Sequence, residues 1–559
     1  MKGVLQLSKK IGLFFTLLLL LTFITACGVS KSNNNNANDN ENNNNQTDNA
    51  DEVEASEVEE NNTEEAAVNK EGFPIVDKEI ELTLMAPGTG LAEWEDMPTL
   101  QAYEDITNIK FQYKTPPMDD FETNLNLAFA SGDIADIIYA AGSDNLTSAM
   151  EVDYGEQGIL LPLEDLIDDY APNLKKIFEE NPDIKKSVTT LDGHIYSLPR
   201  ISDDVWYRGP IWYNGEWLDA LGVDELPETV DEFYDLLVRF RDEDPNGNGE
   251  ADEIPISDHG MDGLRTFLLG AFGIKSWGIE EVDGIVRYAP ITDNYKGYLE
   301  YMNKLYEEKL LDSEIFSQSD DQKKAKGQNN QIGVFTDFYS FFTTGETEEE
   351  ALNNPLYMPL TSEWTDEPLL PKNPGLNRGT FSITADNPNP EASIRWVDYF
   401  YSPEGNAFIN DGPEGIMWEW DENEEMRLEL PVPDKFDSRE DWRGTLTPNY
   451  GILAPSLAGP IEGAEQSKFD QFIDDETDEK YTPYAEVPFP LVYLTKEEQK
   501  EVNDIQVDVQ SYVEQMEAKF ITGVEPLDNW DKYVETIEKM DIDRYVEIQQ
   551  EAYDRWNEG

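Results

Sequence analysis

Cysteine is almost missing from this chain, with Cys27 the single example in 559 residues. A disulfide framework is therefore impossible within the chain, and so is a thiolate zinc site. Histidine is nearly as scarce, and the two present, His194 and His259, read as turn or surface residues. Positive charge is also in short supply: 41 basic residues stand against 117 acidic ones, for a formal net charge of -76. Displacing counterions from phosphate needs a basic footprint, so nucleic acid is excluded as a partner. The acidity is read as a solvated surface that resists aggregation. No GxSxG elbow, HExxH helix or GxxxxGK[ST] loop occurs, so the common hydrolase and nucleotide-binding signatures are absent.

Aromatic residues, by contrast, are plentiful at 11%, with 12 Trp. Such rings pack in a core or against the flat faces of a ligand. A chain of 559 residues exceeds what one compact core supports, so two lobes are expected.

The N-terminus reads as an address. Lys2, Lys9 and Lys10 precede an apolar run from Ile11 that is too short for an ordinary spanning helix, as in a secretory signal peptide. Ile24, Thr25, Ala26 and Cys27 resemble the lipobox of bacterial lipoproteins. That resemblance implies a signal peptide over 1–26, cleavage before Cys27, and a lipid such as palmitate on the Cys27 thiol. The protein would then be anchored to the cell membrane on its extracellular face. Residues 27–72, rich in Asn and acids, bury too little apolar surface to fold and read as a tether.

From about Phe73 the composition becomes globular. "KEIELTLMAP" alternates as a strand does, "ADIIYA" reads as a buried strand, and a short strand is expected around Ile195 to Leu198. Thr229 and Glu232 form a capping box ahead of Val230, Phe233, Leu237 and Phe240 at helical spacing. "ASIRWVDYFYSPEGNAFIN" reads as a helix carrying Ile394, Val397, Phe400 and Tyr401 on one face, and the last hundred or so residues read as mostly helical. Trp212 and Trp217 read as core. Strands alternating with helices give an α/β class, with ligands expected beyond the carboxyl ends of strands.

The capped helix runs into "DPNGNGEADEIP". Ca²⁺ wants six to eight oxygens around a tight turn. Asp244, Asn246 and Asn248 supply oxygens at alternate positions, and Gly249 allows the turn. The Glu250 carbonyl, Asp252 and Glu253 follow; Glu253 replaces the bidentate ligand that Pro255 cannot provide. The ion would be structural, since nothing beside it offers a substrate water or a general base.

The segment "IWYNGEWLDALGVDELPETVDEFYDLLVRFRDEDPNGNGEADEIPI" resembles the extracellular solute-binding proteins of family 1, the carbohydrate-binding components of ABC importers. It is most similar to their oligosaccharide-binding lipoprotein subgroup, which includes the alginate-binding proteins and carries such a calcium loop. "ASGDIADII" resembles the family's SGD-x-PDI element, with Ala135 in place of the usual proline, and "LDGHIYSLP" resembles its crossing strand. The resemblance implies a two-lobe periplasmic-binding-protein type II fold, the Venus flytrap, with hinge crossovers and a helical C-terminal part. Lobe 1 would span 73–199 plus 360–450, and lobe 2 would span 200–359 plus 451–559 with the calcium loop at 244–253.

The expected function is capture of an oligosaccharide between the lobes and its delivery to ABC permease subunits by a monomer. A sugar cleft combines flat rings with carboxylates and amides. By loop position the candidates are Trp94, Asp144, Trp206, Tyr207, Phe338 and Tyr339, with Glu414 and Trp418 added because "GPEGIMW" approaches the cleft in relatives. Two other readings remain open at this stage: a secreted glycoside hydrolase, which needs only two suitably spaced carboxylates, and a surface carbohydrate sensor or adhesin.

Overall fold

The structure is a computed structural model that describes residues 67–202, 209–423, 426–436, 439–459, 461–464 and 466–558. The signal peptide, Cys27, nearly all of the tether, and Trp206 and Tyr207 lie outside the described residues.

The strands that position the site are, in chain order, β1 (Ile80–Met85), β2 (Ile109–Lys114), β3 (Ile137–Tyr139), β4 (Leu198–Ser202), β5 (Ile211–Tyr213) and β6 (Ile254–Ser257). They continue with β7 (Ile332–Thr336), β8 (Leu370–Pro371), β9 (Leu376–Ile383), β10 (Leu457–Ala458) and β11 (Ala485–Glu486). One six-stranded sheet has the order β10–β4–β9–β3–β1–β2. β1 runs parallel to β2 and β3, while β9 is antiparallel to β3 and β4. A three-stranded sheet has the order β5–β7–β6, and β8 pairs with β11 as a separate two-stranded ribbon.

Burial follows the period of the strands. Ile137 and Tyr139 of β3 face one cluster with Leu82, Leu84 and Trp396, while Ile138 faces the opposite side with Met85, Phe121 and Leu125. Both faces of this sheet are thus covered, as in α/β folds. A second large core gathers Trp212, Trp217, Phe233, Phe240 and Val334, together with Val513, Phe520 and Ile548 from the C-terminal helices. The two cores share no residue.

Among the described residues the chain passes between the cores three times. It leaves β4 for β5, leaves β8 for β9, and leaves β10 for the helix Lys468–Lys480, whose Phe469 and Ile473 belong to the second core. The fold is the two-lobe α/β arrangement expected from the sequence. Leu360 and Leu370 pack into the second core, and Ala454 and Leu457 pack against the first.

Most sequence expectations hold in detail. The Thr229–Glu232 capping box is present on the helix Val230–Asp242, with Phe233, Leu237 and Phe240 buried. Trp212 and Trp217 are completely buried. Two expectations need correction. The strand placed at Ile195 to Leu198 begins only at Leu198, because the turn at Thr190 closes on the His194 carbonyl and β4 pairs with β9 and β10 beyond it. The helix expected over 392–410 is interrupted: Pro390–Asp398 tightens into a 3₁₀ turn at Tyr399–Tyr401, and Ser402 caps a new helix at Pro403. Pro403 is tolerated there because the first turn needs no donor.

Candidate functional site

The carboxyl ends of β3, β6 and β7 carry the loops where ligands gather in α/β sheets. β3 leads into Ala140, at φ 53, and the turn Gly142–Asn145, on which Asp144 is exposed. β7 leads into Phe338 and Tyr339, both half-buried, with rings 4.6 Å apart and edge to face. Tyr339 packs further against Phe341 and Phe469, and its hydroxyl donates to Asp470 at 3.4 Å. Tyr339 therefore glues this loop to the helix Lys468–Lys480, while Phe338 keeps company with Phe342, which is 43% exposed. Glu414 is exposed, and its carboxylate accepts from the Trp420 amide at 3.4 Å.

Two tryptophans predicted to be sugar platforms are not available as such. Trp94 is 1% exposed and stands edge-on to Tyr139 at 5.9 Å, a member of the first core. Trp418 is 8% exposed; its indole donates to the Gly412 carbonyl, and the Arg427 guanidinium covers its ring at 3.9 Å. The strand Trp418–Trp420 pairs with Arg427–Glu429, and the ring left more accessible on this hairpin is Trp420, half-buried, two positions from Trp418.

Sequence reasoning missed a cavity at the β8-to-β9 crossing, beside the second core. A space of about 430 Å³ is lined by Pro371, Lys372, Asn373 and Pro374 of the β8-to-β9 crossing, by Arg265 and Trp277, and by Pro488 and Phe489 just beyond β11. It combines two aromatic rings, one amide and several cationic side chains at a hinge, within the size range of small-molecule pockets. The Arg265 guanidinium lies 3.9 Å over the Trp277 ring. Arg265 is fixed by two hydrogen bonds to Glu517 at 3.0 and 2.7 Å, and Trp277 donates to Tyr295, whose hydroxyl donates to Glu517. Burial pushes the Arg265 pKa down and the Glu517 charge more than offsets this, so the guanidinium stays ionised. Lys275 pairs with Glu486 of β11 at 3.2 Å. In the sequence the only hint was "GIKSWGIEEVDG", a tryptophan between Ser276 and Gly278 ahead of a hairpin.

The acidic loop after Val230–Asp242 is folded tightly on itself. Asp244, Gly247 and Gly249 take φ of 50, 68 and 76 degrees, which costs glycine little. The Asp244 carboxylate accepts from the Gly249 amide at 3.2 Å, the Asn246 oxygen from the Asn248 amide at 3.1 Å, and the Asn248 oxygen from the Glu250 amide at 2.6 Å. Asp252 accepts from the side-chain amides of Asn246, Asn248 and Gln331, and these bonds, that from Asn248 foremost, hold its carboxyl below the usual range. Glu253 behaves oppositely: its Oε1 is buried without a hydrogen-bond partner, and burial plus the charges of Asp252 and Asp244 push its pKa up. A clustered carboxylate with one unpartnered oxygen is the kind of site a cation relieves. Among the described residues no three carboxylates or histidines converge closely enough to hold a metal by themselves. A cation here would therefore draw on amide and carbonyl oxygens as well, which suits a hard ion.

His194 and His259 lie half-exposed beside carboxylates, Glu164 for the first and Asp258 and Asp320 for the second. Neither lines the hinge cavity.

Two cores joined by three crossing segments, one of which lines a mixed aromatic and polar cavity, define a two-lobe binding protein. The chain belongs to the bacterial extracellular solute-binding proteins, whose family model matches residues 88–407. Among curated relatives, the fructooligosaccharide ABC transporter substrate-binding protein FusA of Streptococcus pneumoniae is 30% identical over 483 residues, covering 82% of this chain and 86% of the relative. A solved structure of FusA with kestose superposes with a TM-score of 0.66 at 28% identity, over 86% of this chain and 99% of that one. Another structure of it, with the same score and coverage, is described as an EF-hand mutant in complex with fructo-nystose. A solute-binding protein from Bifidobacterium longum subspecies infantis shares the fold, with a TM-score of 0.71 at 20% identity over 86% of this chain and 99% of that one. Membership of this family makes the chain a solute-binding protein of an ABC transporter and not an enzyme.

Proposed function

We propose that the protein captures an oligosaccharide in the hinge cavity, closes its two lobes over it, and presents the closed form to the permease subunits of an ABC importer. The observation that carries this is the cavity itself: one wall is the crossing 371–374, the other is Arg265 and Trp277 of the second core, and Pro488 and Phe489 complete it. A ligand touching both sides favours the closed hinge conformation by its differential affinity. Trp277 and Phe489 suit the C–H faces of a sugar, and Asn373, Lys372 and Lys275 suit its hydroxyls or acidic groups. Asp144, Phe338 and Glu414, with Trp420 in place of Trp418, extend the candidate set along the loops that border the lobes. The relative named for fructooligosaccharides supports fructans as the first ligands to try.

The lobes divide at the three crossings, so residues up to β4 with 376–458 form one lobe and 211–371 with the C-terminal helices form the other. Asp244, Asn246, Asn248, the Glu250 carbonyl, Asp252 and Glu253 hold a structural Ca²⁺, as the donor chemistry and the EF-hand of the relative support. The protein acts as a monomer held to the extracellular face of the cell membrane by a lipid on Cys27. A thermal-shift panel of neutral and acidic oligosaccharides tests this, because a ligand that binds only the native state raises the melting temperature by mass action. A rise with at least one oligosaccharide is expected; no rise with any member of the panel would contradict the reading.

A further inference from the structure

The pair Asn–Gly occurs three times in the chain, as Asn214–Gly215, Asn246–Gly247 and Asn248–Gly249. Such a pair can react within itself: the glycine nitrogen attacks the asparagine side-chain carbonyl carbon, a cyclic imide closes, and ammonia leaves. Glycine permits the ring because it has no Cβ to obstruct it. A peptide nitrogen is nevertheless a poor nucleophile, since its lone pair is delocalised into the carbonyl. The rate therefore depends on what stands beside the N–H, what stands beside the amide oxygen, and whether water can reach the pair.

The three pairs differ on each count. Asn214 and Gly215 are buried. The Asn214 oxygen is held by the Trp217 amide, its Nδ2 by Asn330 and the Ile332 carbonyl, and the Gly215 N–H by the Asn354 side-chain oxygen. In the pair Asn246–Gly247 the glycine N–H donates to the backbone carbonyl of Asp244 at 3.1 Å, a group that does not take a proton. In Asn248–Gly249, all of it exposed, the glycine N–H instead faces both oxygens of the Asp244 carboxylate, at 3.2 and 3.3 Å. The Asn248 side-chain oxygen accepts from the Glu250 amide at 2.6 Å, so charge gathering on that oxygen during attack meets a donor. Nothing stands within 4 Å of where a Cβ would lie on Gly249, which leaves room for the ring to close.

We propose that Asn248 is a site of spontaneous deamidation, with the Asp244 carboxylate as general base and the Glu250 N–H as donor to the developing oxyanion. Asp244 takes the Gly249 proton, the Gly249 nitrogen bonds to Cγ of Asn248, and the Cγ–Nδ2 bond breaks. Nδ2 leaves as ammonia, carrying that proton. Water then opens the imide. Cleavage between the Gly249 nitrogen and the side-chain carbonyl leaves aspartate at this position; cleavage at the main-chain carbonyl leaves an iso-aspartyl linkage, one methylene longer. One amide and one water give one carboxylic acid and one ammonia, with no oxidant or reductant. Either product adds a carboxylate to a loop that already holds Asp244, Asp252 and Glu253, and the second also lengthens its turn. The reaction is independent of which oligosaccharide the protein carries.

The test is peptide mapping by mass spectrometry of the full protein, aged at neutral pH in EDTA, with ammonia release followed in parallel. Faster conversion at Asn248 than at Asn246, and none at Asn214, is expected; this order needs no variant. Asp244→Asn keeps the shape of the side chain but removes the base, and should slow Asn248 about tenfold or more while leaving Asn246 unchanged. The proposal is overturned by conversion at Asn246 as fast as at Asn248, by conversion at Asn214, or by an Asn248 rate that is unchanged or raised in Asp244→Asn.

Discussion

In the first core the buried carboxylate of Asp398 accepts from the amides of Asn173 and Leu174 and from the Asn173 side chain, capping the start of the helix Pro172–Glu180 from 225 residues away. In the second core the buried carboxylate of Glu517 meets the guanidinium of Arg265, 252 residues earlier, and Tyr295. Burial raises the Asp398 pKa to about 6 despite those amide donors, whereas Arg265 opposes the same upward push on Glu517. In both cores the partners only partly offset desolvation, backbone and side-chain amides for Asp398 and a full opposite charge for Glu517, and such a charge becomes indispensable once present. The second core pins its C-terminal helix this way, and the same Arg265 forms a wall of the hinge cavity.

The largest expected effect comes from breaking that pair. Arg265→Ala leaves Glu517 buried without its counter-charge and should cost about 3–5 kcal/mol in urea unfolding. Next comes the loop at the end of Val230–Asp242. Saturating Ca²⁺ at about 100 times its Kd should add about 2.7 kcal/mol, lost on EDTA treatment and in Glu253→Gln, as followed by melting temperature. Removing the first core's cap by Asp398→Ala should cost less, about 1–3 kcal/mol, since three amide donors lose their acceptor.

The pH dependence sharpens the contrast. Asp398 has a folded pKa above its unfolded value, so the folded state binds more protons between about pH 4 and pH 6. Its contribution to stability therefore falls as pH rises through that window, and Asp398→Asn should flatten the profile there. The smallest effect is at His194, whose contact with Glu164 raises its pKa. That contribution is fully present below the unfolded pKa and fades as pH climbs through the folded one. With 43% of the side chain exposed, His194→Gln should cost at most about 1 kcal/mol, measured at pH 6 against pH 8.

Local patterns were legible in the sequence. Alternation gave β1, a short apolar run gave β3, the Thr229–Glu232 box gave a helix start, and the loop at 244–253 was marked residue by residue. Ile195 and Tyr196 misled because they are buried as strand residues are, yet have no strand beside them. The two tryptophans failed for another reason. Whether a ring faces a groove depends on its tertiary partners, Tyr139 for Trp94 and Arg427 for Trp418, and neither partner is announced locally. The hinge cavity was unreadable for the same cause, since Arg265, Trp277, Asn373 and Phe489 come from four separated segments.

The hinge cavity is the sugar site proposed for this protein. Calorimetric titration with the oligosaccharide that raises the melting temperature most, starting from kestose, compares wild type with Trp277→Leu. A saturable one-to-one isotherm in the wild type, weakened about tenfold or more in the variant while the Asp398 pH profile stays intact, is predicted. Equal affinity in the two proteins would contradict the assignment.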